Sequence, residues 1–117
     1  NACKIVWNEH LADAGTANNS WGGAHKIADT TNDVTTANAE DQTTANTLLN
    51  ALKVAFNLHV SQSGVHFTND ATYSVTAANA TDEGSSQTLA TEITARINSH
   101  IAFALGAGDA TTKVIAG

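Results

Sequence analysis

Displaced by 41 positions, this sequence matches itself, and that repeat limits the folds open to it more than any other feature. His25, Asp29, Thr31, Val34, Thr35, Ala37, Asn38, Ala39 and Asp41 fall on His66, Asp70, Thr72, Val75, Thr76, Ala78, Asn79, Ala80 and Asp82. Thr47, Leu48, Asn57 and His59 fall on Thr88, Leu89, Asn98 and His100, which makes 13 identities over positions 25–60. Leu52 and Phe56 match Ile93 and Ile97 in kind. Partial copies flank the pair. Lys4, Trp7, Asn8 and His10 match Lys53, Phe56, Asn57 and His59 at an offset of 49, and Asp109, Ala110, Thr111 and Val114 match Asp70, Ala71, Thr72 and Val75 at an offset of 39. The chain therefore reads as a single repeat domain. Residues 1–24 are a partial unit with a Gly-rich insertion, 25–65 and 66–106 are whole units, and 107–117 begin a further one.

Within a unit the apolar residues define a helix. Leu48, Leu52 and Phe56 are spaced by four, as are Leu89, Ile93 and Ile97, which is the one-sided stripe of an amphipathic helix. Asp41 and Asp82 stand just before these runs as N-caps, with Glu40 and Glu83 adding negative charge at the positive helix end. The expected helices cover residues 1–10, 42–59 and 83–100, the last running on toward 103. The connections, about 11–41 and 60–82, are too long for plain loops in a compact domain. Tyr73, Val75 and Ala77 alternate with other residues, and Asn32, Val34 and Thr36 do so more weakly, which suggests an extended piece. Such a piece is long enough to run back along a helix, so parallel and antiparallel arrangements both stay open. The expected fold is mainly α: about three amphipathic helices from repeats of about 41 residues, joined by long, partly extended connections.

Composition narrows the function. Of 117 residues 42% are apolar, but 22 are Ala, and Leu, Ile, Val and Phe together number only 23. A core that thin favours partners, so the expectation is a homo-oligomer or a particle-bound subunit. Five Lys and Arg against eleven Asp and Glu give no electrostatic footprint for nucleic acid. No stretch has the length and apolarity of a membrane span. Cys3, the single cysteine, cannot form an internal disulfide. It is either a small core residue or a cross-link at an interface. Trp21 lies in the Gly-rich insertion, off the repeat, and is a candidate interface residue, whereas Trp7 matches Phe56 and belongs to the core.

The candidate chemistry is histidine. Asn-x-His recurs at each helix end, as Asn8 and His10, Asn57 and His59, and Asn98 and His100. Parallel helices gather these three histidines at one end of a bundle. His25 and His66 follow the connections, each with an Asp four residues on, Asp29 or Asp70. Imidazole and carboxylate together bind Zn²⁺ or a similar ion. The plainer reading is structural: a last-turn His serves free carbonyls and the helix dipole, and Asp-x-Thr folds a turn. The spacing fits no zinc signature, so a His/Asp network comes first and a structural metal on His10, His25, His59, His66, His100, Asp29 and Asp70 second. Neither a phosphate-cradling Gly-rich motif nor a nucleophile elbow occurs, and no catalytic residue or organic cofactor is expected.

The units resemble repeat-containing structural proteins of tailed bacteriophages. Stretches in those proteins run His, Asp-x-Thr-Asn, Val-Thr-Ala-Ala-Asp-Ala-Thr-Asp, and then a helix ending in Asn-Ala-His. The residues that carry the resemblance are His66, Asp70, Thr72, Val75, Thr76, Ala78, Ala80, Thr81, Asp82, Asn98 and His100, with Asn79 in place of the usual Asp. The resemblance implies a non-enzymatic virion component, such as a capsid decoration or tail-associated subunit, whose partners are itself and other virion proteins. A subunit of an extracellular filament or surface layer and a small metal-binding module are the other expectations. The implied location is the virion or the extracellular space.

Overall fold

The computed structural model describes residues 1–12, 28–62, 65 and 74–105. Among them the fold is mainly helical, with three helices and no strand: α1 (Ala2–Ala12), α2 (Gln42–Ser61) and α3 (Glu83–Leu105). Both long helices start on the same device. The Asp41 carboxylate accepts the Thr44 backbone N–H at 2.8 Å, and Thr44 Oγ1 accepts the Asp41 N–H at 2.9 Å, closing a capping box. One unit later Asp82 accepts the Ser85 N–H at 2.8 Å and Ser85 Oγ accepts the Asp82 N–H at 3.0 Å. These backbone donors, together with the Thr44 and Ser85 hydroxyls, hold both carboxyls below the usual aspartate range.

The helices run parallel. At one end Asn1, ahead of α1, donates from Nδ2 to the carbonyl of Ala39, just ahead of α2, and Gln42 opens α2 by donating to Ser86 Oγ in the first turn of α3. At the other end His10, His59 and His100 meet. Because the helices are in register, equivalent residues supply successive levels of one core. Trp7, Phe56 and Ile97 form a level, with the first two rings 5.6 Å apart, and Leu11, Val60 and Ile101 form another; each of these six is at most 1% exposed. Leu48, Leu52, Leu89 and Ile93 extend the core toward the capped end. Cys3 is partly buried against this core beside Thr94, and burial raises its thiol pKa.

The connections return along the helices. Asn8 and Lys4 of α1, and Asn1 just ahead of it, bond Val34, Thr36 and Ala39 in that order, so residues 34–39 run opposite to α1. Asn8 donates to the Val34 carbonyl at 2.9 Å and accepts the Val34 N–H at 2.8 Å, and Asn1 makes the same pair with Ala39. Lys4 Nζ donates to the Thr36 carbonyl at 2.9 Å. The pattern recurs on α2. Asn57 pairs both ways with Val75, Asn50 pairs both ways with Ala80, and Lys53 donates to the Ala77 carbonyl at 2.6 Å.

A side-chain amide carries the donor and acceptor of a peptide group, so each Asn does for one residue what a neighbouring strand would do. This explains why residues 32–35 alternate in burial without joining a sheet among the described residues. Asn32 and Val34 are buried while Asp33 and Thr35 are exposed. The helix supplies the ladder.

Candidate functional site

Asn-x-His separates two tasks. Residues two apart on a helix point about 200° apart, so the Asn that clamps the connection and the His lie on opposite sides. His10, His59 and His100 consequently face inward from three helices, each 0% exposed. They form a polar level between the Trp7–Phe56–Ile97 and Leu11–Val60–Ile101 levels. Their rings meet edge to face, with centroids 5.4 Å apart for His10 and His59, 4.8 Å for His10 and His100, and 5.0 Å for His59 and His100. One ring nitrogen from each lies within 4.8 Å of the others. Trp7 closes the site on one side, its ring 5.1 Å from His59 and 5.8 Å from His10.

Asp29 is the charged member. Its Oδ2 lies 2.8 Å from His59 Nδ1, and neither side chain has any exposure. Burial alone would raise the Asp29 pKa. Donation from Asn32 Nδ2, the Thr31 backbone N–H, His59 and the Thr31 hydroxyl outweighs it and holds the carboxyl well below the usual range. An ionised carboxylate only accepts, so His59 Nδ1 carries a proton. With His59 neutral, its Nε2 is then left with a lone pair, 3.1 Å from His100 Nε2.

The structure thus brings together four of the candidate residues: His10, His59, His100 and Asp29. His25, His66, Asp70 and Trp21 lie outside the described residues. For His59 the expectation of a last-turn His on free carbonyls is corrected. Its two ring nitrogens face Asp29 and His100, because the buried ring points across the bundle rather than along its own helix. Asp29-x-Thr31 does fold a turn, but the same carboxylate also reaches α2. Asn32, which the sequence places only in the extended piece, also belongs to the site: it donates to Asp29 at 2.7 Å and to Gln62 Oε1 at 3.2 Å. Its neighbours in Asp-x-Thr-Asn were the available signal. Trp7 also enters here through its indole N–H, which donates to the Asn32 carbonyl at 3.1 Å.

Away from the histidines, an apolar groove of about 470 Å³ lies between residues 31–36 and α2, with Val54 and Leu58 more than half exposed along it. Among the described residues no histidine lines it. Among the described residues no helix is long and apolar enough to cross a membrane. Among the described residues, fold and site together define a parallel three-helix arrangement with a buried histidine level. No protein-family model, curated protein or solved structure matches the chain.

Proposed function

We propose that this chain is a non-enzymatic structural and assembly module, a subunit of a phage-like virion in the manner of a capsid decoration or tail-associated protein. One observation carries the reading: the recurring polar side chains serve the architecture. Asn1, Lys4 and Asn8 bond the first connection, and Asn50, Lys53 and Asn57 bond the second in the same register. The histidine level sits where no substrate has access, with all three rings at 0% exposure. A polar level inside an otherwise apolar bundle fixes which helices pair and at what height, the best-attested role of buried polar groups. The thin core and the resemblance to bacteriophage structural proteins support a subunit that is completed by assembly.

The test is the state of the full chain in solution and in its native particle. Light scattering at micromolar concentration should show an oligomer, and electron microscopy of the source material should place the chain on a capsid or tail. A stable monomer that associates with no particle overturns the reading. Helical fibres without capsids replace it with the filament alternative.

A further inference from the structure

We propose that His10, His59 and His100 form a structural site for a divalent transition-metal ion of the Zn²⁺ class. The three imidazoles come from the same register position on three parallel helices, and their ligand nitrogens lie within 4.8 Å of one another. A tetrahedral zinc with bonds of about 2.0–2.1 Å holds its ligand nitrogens about 3.3 Å apart. His59 Nε2 and His100 Nε2 already stand at 3.1 Å, and the proton held between them in that hydrogen bond is the one the ion displaces to solvent. Separations of at most 4.8 Å leave a contraction of no more than about 1.5 Å to the tetrahedral edge.

The surroundings are those a metal-binding imidazole needs. Asp29 Oδ2 accepts from His59 Nδ1 at 2.8 Å, which selects the tautomer with its lone pair on Nε2 and makes that nitrogen more basic. Asp29 is itself fixed by Thr31 and Asn32, so the carboxylate stays in place behind the ligand. It also provides a buried negative charge near the cation. Imidazole donors favour Zn²⁺, Ni²⁺ or Cu²⁺ over Ca²⁺ or Mg²⁺, which take oxygen ligands. The three imidazoles fill three of the four tetrahedral positions and leave the fourth to a water molecule. The ion would tie α1, α2 and α3 at one height, and this holds whatever assembly the module belongs to.

The test uses the full chain stripped with a chelator and titrated with Zn²⁺ alone, in competition with a chromophoric chelator. One ion per chain is expected. The melting temperature should rise by about 10 °C at a hundredfold excess over the dissociation constant. Co²⁺ in place of zinc should give the strong visible absorption of a tetrahedral site. His100→Phe keeps the ring volume and should abolish binding. Asp29→Asn keeps all three ligands and should weaken it by about 10- to 100-fold. Failure of the wild-type chain to bind Zn²⁺, or binding with no shift in melting, overturns the proposal even if His100→Phe does not fold. A folded His100→Phe variant that still binds one ion at wild-type affinity overturns it equally.

Discussion

The two connections are clamped alike from one side and differently from the other. Residues 34–39 lie on α1 and residues 75–80 on α2, each held by the same Asn, Lys and Asn side chains. The second connection is also gripped by the helix that follows it. Glu92 of α3 accepts the Thr76 N–H at 2.9 Å and the Ala77 N–H at 2.7 Å. One unit earlier the position of Glu92 is Ala51, and Thr35 and Thr36 stand where Thr76 and Ala77 do. A methyl group accepts no hydrogen bond, and this is where the groove between residues 31–36 and α2 lies open. The clamp from the preceding helix is thus the constant part of the unit. The grip from the following helix is optional, and its absence leaves an apolar groove.

The first connection is also anchored at its other end, where Asp29 ties it to His59. Asp29→Ala should be the most damaging single change in this comparison. It leaves the His59 Nδ1–H, the Asn32 amide and the Thr31 N–H without their buried acceptor, a loss of about 3–5 kcal/mol. Urea denaturation measures it. A loss below about 1 kcal/mol would mean that the anchor does not hold the connection.

Asn8→Ala and Asn57→Ala break the same two-bond pair in the two units. Each strands the N–H and carbonyl of a buried valine, Val34 or Val75, and should cost about 2–3 kcal/mol. The consequences should differ locally. Hydrogen exchange around residues 34–36 should accelerate strongly in Asn8→Ala. Residues 76 and 77 should stay protected in Asn57→Ala, since Glu92 still holds them. Equal acceleration in both would erase the distinction between the connections.

Glu92→Gln tests the optional grip directly. The backbone N–H of Thr76 is the main cause of the lowered Glu92 pKa; partial burial opposes it, and Ala77, the Thr76 hydroxyl and Arg96 add to it. A folded-state pKa below the unfolded value means that ionised Glu92 stabilises the protein above about pH 4.5. That contribution disappears as pH falls through the folded pKa. The wild type should exceed Glu92→Gln by about 1 kcal/mol at pH 7, the partial exposure of this side chain keeping the figure small. The gap should close on acidification, and a pH-independent gap would assign the effect to packing.

Sequence made the scaffold legible because its signals are local and repeated. The four-residue apolar spacing gave α2 and α3, and Asp41 and Asp82 marked their starts. The offset of 49 that aligned Lys4 and Asn8 with Lys53 and Asn57 already contained the clamp. Its role stayed hidden because a polar residue on the outer face of a helix looks the same whether it meets water or a returning chain. Helix direction was hidden for a related reason: the stripe of Leu48, Leu52 and Phe56 suits a parallel or an antiparallel neighbour equally. The recurrence of Asn-x-His raised the possibility of a gathered histidine level. Only the parallel arrangement, with Asp29 folded back onto α2, turns three separate motifs into one site.

The smallest expected effect is also the most constructive. Ala51→Glu places on α2 the side chain that α3 uses at the matching position, facing the Thr35 and Thr36 segment across the groove. If the two units share one geometry, the new carboxylate accepts those backbone N–H groups as Glu92 accepts those of Thr76 and Ala77. The expected gain is up to about 1 kcal/mol, a rise of roughly 4 °C in melting temperature. Exchange at residues 35 and 36 should slow to match 76 and 77. A neutral or destabilising result would show that the first connection lies farther from its following helix than the second does. The missing Glu would then follow from the wider groove rather than cause it.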